Sequence, residues 1–305
     1  MAVPLQSSLF KSVVEPIINK VFDGIFKQRT PEWSQVLTQI TGTPRSYHEE
    51  PVLYGFGAAP EVPDGQPVTY GIGGTNFIKR YPYAVYGLAF AITKVLAEDG
   101  DHIRIGKTYG EHLGQSMIET KELLSANQLN RSFNGAYAGG DGVSLIHPAH
   151  PIPGGGSYSN QLATAAALSQ TSLEQALIQV RSATDDTGKR IQLEPRKIIC
   201  APSNVMQAEV LLKSVLRTGT TNNDVNPVKS LALLKGGQAN LSRLTSNTAW
   251  WVLTDAPHGL QLVMRRPLQR SGEGDFETDS ARYKCMERYA VGWTQPRAVY
   301  GTAGQ

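Results

Sequence analysis

The side chains best placed to do chemistry in this sequence are His147 and His150, in the run His147-Pro-Ala-His150, with Asp141 shortly before them. Two imidazoles and a carboxylate could hold a zinc ion that activates water, which would make the chain a metal-dependent cytosolic hydrolase. A proline follows each histidine, however, and structural zinc sites almost always take four protein ligands, so the segment reads first as a packed loop. The glycine-rich runs Gly71-Ile-Gly-Gly-Thr-Asn76 and Pro153-Gly-Gly-Gly-Ser157 lack the strand, helix and Lys-Ser/Thr context of a phosphate loop and read as flexible turns. Asp185-Asp186 falls at the end of a helical pattern, where acids oppose the dipole; a solvated turn and a cation site both fit. No GxSxG elbow is present, and neither Cys200 nor Cys285 stands in a CxxC or Cys/His pattern, so both read as buried reduced thiols. No catalytic constellation assembles and no cofactor is implied.

The bulk properties point away from catalysis and toward contact. The 305 residues suffice for one large core or two modest ones without disulfide or metal. Only 18% are charged, below the roughly 25% usual for soluble domains, which leaves neutral and apolar surface for partners. The net charge of +3 has no focus: residues 1–50 hold five basic and five acidic residues, and residues 201–250 hold five against two. A flexible basic arm for nucleic acid is therefore not expected. No apolar run approaches the ~18 residues that span a bilayer, and the start Met1-Ala-Val-Pro lacks the charged and hydrophobic regions of an export signal.

Periodicity then supplies the elements. Residues 9–27 place apolar side chains, including Phe10, Phe22 and Phe26, at mixed helical spacing broken by Pro16 and Gly24, which predicts an arm with short helical turns. Residues 51–77, rich in Gly, Pro and Tyr, predict a two-stranded excursion tipped at Pro63-Asp-Gly65. A strand is expected over 83–95 and a long helix over 102–132, starting after Asp101, with Ile105, Tyr109, Leu113, Met117, Thr120 and Leu124 as its stripe. Gly106, Gly110 and Gly114 recur along that helix, which implies either close backbone approach or a frayed start. Thr171-Ser-Leu-Glu174 suggests a capping box for a helix that Gly188 ends. A buried strand at 196–202 should lead into a helix capped by Ser203 and stopped at Gly219, and strands should dominate thereafter. The fold class is α+β.

A resemblance emerges from an ordered series. Val143-Ser-Leu-Ile-His-Pro-Ala-His-Pro151, Asn160, Leu168-Ser-Gln-Thr-Ser-Leu-Glu-Gln-Ala176, Asp186-Thr-Gly188 and Pro195-Arg-Lys-Ile-Ile-Cys-Ala-Pro202 follow one another, then Asn222-Asn-Asp-Val-Asn226 and Thr248-Ala-Trp-Trp251. The series resembles the major head (capsid) proteins of tailed bacteriophages, with the Mu-like branch nearest. The resemblance implies a Hong Kong 97-type fold: residues 1–50 an N-terminal arm, 51–78 an extended β-hairpin loop reaching over a neighbour, and 79–134 a peripheral domain carrying the spine helix. Residues 135–255 would form an axial domain, and 256–305 strands returning to the peripheral domain.

It further implies a non-enzymatic subunit that self-assembles through hexamers and pentamers into an icosahedral virion head, built in the host bacterial cytoplasm around double-stranded DNA without sequence specificity. A separate scaffolding protein, a portal and decoration proteins would be its other partners, and no membrane is involved. A nanocompartment shell of the same fold is the alternative. Some relatives cross-link through a lysine in the extended loop, but residues 51–78 contain none, so contacts here should be noncovalent. The expected contact residues are Phe10, Phe22 and Phe26 in the arm and Tyr54, Phe56 and Tyr70 in the loop, because aromatic residues are enriched in interface cores; burial within one subunit is the competing reading.

Overall fold

The computed structural model describes residues 30–93, 102–217, 224–275 and 280–304, with isolated positions 19, 20, 24, 95, 96 and 277. Its strands are β1 (Thr38–Thr41), β2 (Tyr47–Tyr54), β3 (Gly74–Pro82), β4 (Ala84–Thr93), β5 (His150–Pro151), β6 (Ser157–Tyr158), β7 (Pro195–Cys200), β8 (Gln238–Asn240), β9 (Trp250–Thr254), β10 (Leu260–Asp275), β11 (Ser280–Trp293) and β12 (Val299–Thr302). The α-helices are α1 (His102–Asn130), α2 (Gln170–Arg181), α3 (Val205–Lys213) and the single turn α4 (Pro227–Ser230).

Two four-stranded sheets organise the chain. The first runs β1-β10-β11-β4, built on the long β10/β11 hairpin; the second runs β12-β9-β7-β8. The second sheet is buried on both faces, which explains the apolar run in β7. Alternation along its strands sends Ile198, Cys200 and Trp250 toward a core with α2 and α3, and Ile199 and Trp251 toward a core shared with the end of α1 and the first sheet.

Helix α1, about 43 Å long at 1.5 Å per residue, lies on the first sheet. Leu113 and Met117 pack there on Tyr283 and Cys285, and Lys121 Nζ sits 2.7 Å from the fully buried Glu287 carboxylate. Gly106, Gly110 and Gly114 are buried in an unbroken helix, which supports the close-approach reading over a frayed start.

Several expectations are corrected. The first 50 residues do not all form an arm. Val36 and Leu37 are buried, β1 joins the first sheet beside β10, and the buried Glu122 of α1 accepts from the amides of Glu32 and Trp33 at 2.7 and 2.8 Å. Residues 256–305 do not return to one place either. β10 and β11 lie in the first sheet, whereas β12 pairs with β9 in the second, because Val299 and Tyr300 bury themselves on its cores.

Helix α2 starts two residues before the expected box. The reciprocal bonds are Ser172 N to Ser169 Oγ at 3.2 Å and Ser169 N to Ser172 Oγ at 2.9 Å, while Glu174 accepts from Gln170 and Arg217. It also ends at Arg181, and Gly188 (φ +81°) serves a later turn. Ser203 donates to Asn247 O instead of capping α3. That helix stops at Lys213, where Asn226 Nδ2 donates to the carbonyls of Leu211 (2.8 Å) and Ser214 (3.1 Å) and so supplies donors that a helix end lacks. Gly219 lies outside the described residues.

Both cysteines are free and fully buried, and burial pushes the Cys200 thiol up to about 11 and Cys285 up to about 12. Since the thiolate is the reactive form, neither should react with a maleimide at pH 8 in the folded protein, and both should react in denaturant. Stoichiometric native labelling, read by mass spectrometry, would contradict this packing.

Candidate functional site

The extended loop has an ordered base and an open tip. β2 and β3 pair with each other alone, from Tyr47 opposite Pro82 to Tyr54 opposite Gly74. Residues 55–73 leave the ladder, so the expected pairing of Pro67-Val-Thr-Tyr-Gly-Ile72 does not form. Gln66 N donates to Pro63 O at 3.1 Å, and Gly65 takes φ +79°, a backbone state that glycine adopts without strain. Phe56 lies across Gly71 and Tyr54 across Gly74, where a Cβ would meet the Phe56 ring at 2.7 Å and the Tyr54 hydroxyl at 2.6 Å. Phe56 nevertheless remains 59% exposed and Tyr70 96%, among other open apolar positions such as Val68 and Ile72. Of the expected contact residues, Tyr54 is half-buried in its own hairpin, and Phe10, Phe22 and Phe26 lie outside the described residues.

The base is held from both sides. On β2, Glu50 accepts from Thr294 Oγ1 (2.5 Å) and Gln261 Nε2 (3.3 Å) and pairs with the His258 ring, in the turn between β9 and β10. On β3, Phe77 lies against Gly140, and Asn76 Nδ2 donates to Asp186 at 3.2 Å. Lys79 stands over the Trp293 ring; its burial lowers its pKa, partly offset by the Asp141 carboxylate. Lys189 Nζ donates to Phe56 O at 2.5 Å, at the foot of the tip.

Behind β3 the residues first considered as a metal site meet in a polar stack. His150 stacks on Tyr158 at 5.0 Å, and the Arg297 guanidinium lies 3.8 Å from the centroid of the same ring. His150 and Arg297 each have an acid beside them. Asp141 Oδ2 is 2.6 Å from His150 Nδ1, and Asp186 Oδ1 is 2.8 Å from Arg297 Nη1, an ion pair without hydrogen-bond alignment. Asn160, fully buried, points Nδ2 at the carbonyls of Leu145 (2.7 Å), Val299 (2.9 Å) and Pro296 (3.1 Å). Its Oδ1 accepts from His147 N at 2.9 Å and faces His150 Nε2 at 3.1 Å.

Both ring nitrogens of His150 are thus engaged, Nδ1 by Asp141 and Nε2 by Asn160. His147 Nδ1 accepts from Ala149 N at 3.1 Å. With these atoms engaged, His150 has no lone pair open to a metal, which sets the hydrolase reading aside. Asp185 and Asp186 divide: Asp185 accepts from Thr187 and Lys189 N within its turn, while Asp186 is buried against Arg297, so the pair is not a solvated end. Asn160 and Arg297 carried no role in the sequence reading; Asn160 stood only as one member of the ordered series.

The fold aligns over most of its length with solved capsid and virus-like-particle structures. The chain aligns with the capsid of the cyanophage P-SCSP1u at 13% identity and TM-score 0.58, covering 88% of this chain and 86% of that one. It aligns with the mature capsid of bacteriophage PhiM1 at 11% and 0.55, covering 90% and 87%. A virus-like particle from Pyrococcus furiosus aligns at 15% and 0.53, covering 95% and 99%. No curated protein matches the chain. The fold is thus of the Hong Kong 97 type. A family profile described as "Phage capsid protein" matches residues 80–302, well over half of the chain, and the chain belongs to that family. It is a structural major capsid protein of the virion, not an enzyme, and it assembles with copies of itself.

Removing the Asn160 amide leaves several buried backbone groups without partners, each worth about 1–3 kcal/mol. Asn160→Ala should lower stability by about 3 kcal/mol in urea denaturation. Asn160→Asp should cost more, since it turns a carboxylate oxygen toward three carbonyls. Midpoints within experimental error of the unmodified protein would refute the hub.

Proposed function

We propose that this subunit builds the icosahedral head of a tailed phage around double-stranded DNA, through hexamers and pentamers held by noncovalent contacts. The observation that carries this reading is the extended loop, whose base is anchored on both strands and whose apolar tip is open. Apolar side chains left in solvent at the tip, such as Phe56, Val68, Tyr70 and Ile72, cost solvation free energy until a partner covers them. The loop would reach over a neighbour, with Phe56 and Tyr70 as contact residues, Tyr54 supporting them from the hairpin, and Phe10, Phe22 and Phe26 acting in the arm. The first sheet with α1 is assigned to the peripheral domain, and the second sheet with α2, α3 and β12 to the axial domain.

DNA would be enclosed by confinement, since residues 1–50 balance five basic against five acidic residues. A separate scaffolding protein, a portal and decoration proteins complete the proposed partners. The ordered series from Val143 to Trp251 supports placement nearest the Mu-like branch.

Electron microscopy of the expressed protein, with and without co-expressed scaffold, should show closed shells; persistent monomers in both cases would overturn the reading. Replacing residues 55–73 with a short Gly-Ser turn from Tyr54 to Gly74 should keep cooperative unfolding and abolish shells. Loss of cooperative unfolding in that variant would show that the loop belongs to the core.

A further inference from the structure

We propose that a cavity at the root of the extended loop binds a small apolar molecule carrying one N–H or O–H donor, of the size and kind of indole. The inference goes beyond the capsid reading and does not depend on it.

The cavity measures about 300 Å3 and lies between β1, the end of β9 and the turn Pro257-His258-Gly259 that leads into β10. Its position follows from the register. Thr38 and Ile40 of β1 stand opposite Gln261 and Val263 of β10, so these four side chains share one face of the first sheet. Ile40 and Val263 pack there with Tyr81 of β3, beside the loop base. Val36, Ile40, Leu253, Pro257 and Ala298 make the walls mostly aliphatic. An apolar cavity of about 150 Å3 is enough to hold benzene, so this one has room for two fused rings.

One buried polar atom in the lining is left over. Gln261 is 3% exposed and donates from Nε2 to Glu50 of β2 at 3.3 Å, while its Oε1 is buried without a donor. A carboxylate accepts, which sets Nε2 toward Glu50 and leaves Oε1 as the free atom. The other polar side chains around the cavity are engaged or open to solvent. Thr254 Oγ1 donates to Arg297 O at 2.8 Å and accepts from Ala256 N at 3.3 Å, His258 pairs with Glu50, and Thr38 is exposed.

A buried acceptor without a donor keeps its desolvation cost, and native proteins normally satisfy it. Water could donate to Gln261, but a buried water needs two to four polar partners, which aliphatic walls do not supply. An apolar molecule with a single donor suits both features: the donor meets Oε1, and the body covers the walls.

The site is also preformed. His258 holds φ +58°, a strained state for a residue other than glycine, and is kept there from two sides. Gln295 N donates to its carbonyl at 2.7 Å, and Glu50 takes its ring. A wall fixed in this way spares the ordering cost that binding would otherwise meet. Because the same Gln261 amide holds Glu50, a bound molecule touches the side chain that anchors the loop base.

Titration of the full-length protein with indole, followed by ligand-observed NMR, should show saturable binding below about 1 mM and a raised unfolding temperature. Indene has the same shape without the N–H and should bind about tenfold more weakly, the effect of one hydrogen bond. Gln261→Met removes the acceptor and should weaken indole to the affinity of indene. Thr38→Trp, at the exposed mouth, should unfold like the unmodified protein and bind neither molecule.

Equal affinity of the unmodified protein for indole and indene would overturn the assignment to Gln261. Binding that survives Thr38→Trp would place the molecule elsewhere and overturn the site. A folded protein that binds neither molecule saturably would leave the cavity to water and defeat the proposal, with shell assembly unaffected by any of these results.

Discussion

A buried side-chain amide, that of Asn160, ties together segments that are far apart in sequence. Its three carbonyl acceptors come from residues 145, 296 and 299, and its oxygen serves residues 147 and 150. Such a centre is stable only when every polar group is satisfied, since an unpaired one in a low-dielectric interior keeps its full desolvation cost. Here contacts extend outward from it through His150, Tyr158 and Arg297 to Asp141 and Asp186, the last pair meeting through charge while Asp186 Oδ1 and Arg297 Nε and Nη2 make no hydrogen bond. Those two carboxylates meet Lys79 and Asn76 of β3. The direction in which the loop leaves the body is therefore set by a polar network, which tolerates fewer alternative arrangements than apolar packing would.

That rigidity suits a shell subunit. Weak contacts repeated around a lattice add up only if each subunit presents them in nearly the same geometry. The body accordingly fastens its long elements with buried charge, Lys121 to Glu287 between α1 and β11. Such pairs contribute little net stability but penalise misregister strongly, because a shifted helix strands the buried carboxylate. The loop tip has the opposite design: it leaves the strand ladder, with rings resting on glycines and several apolar side chains in solvent. A firm base and an adaptable tip allow one chain to meet neighbours in related but unequal environments.

The histidine pair shows how residue type and position can mislead. Asp141 meets His150 and the His147 ring lies 6.0 Å from it, but among the described residues the three are not gathered as a metal site would require. Asp141 and Asn160 engage both nitrogens of His150, whose ring stacks on Tyr158. These residues thus act in packing, and the two histidines and Asn160 of the ordered series take part in the polar centre.

Local signals alone determined much of this protein. The strand now seen at Ala84–Thr93, the helix from His102 to Asn130 and the turn at Gly65 followed from β-branched content, a helical stripe and the glycine requirement of a positive φ. The ordered series from Val143 to Trp251 carried the family likeness, and the missing lysine in residues 51–78 was plain to read.

Only the tertiary structure decided where the strands went. β10 and β12 look equally suited to one sheet, yet β12 pairs with β9, because Val299 and Tyr300 complete cores that no local pattern announces. It also decided that Ser169 rather than Thr171 caps α2, and that Asp186 is buried against Arg297 more than a hundred positions later. Propensity and capping act over a few residues and are legible one segment at a time; burial and charge pairing depend on which distant segments meet, and that is settled only when the whole chain has folded.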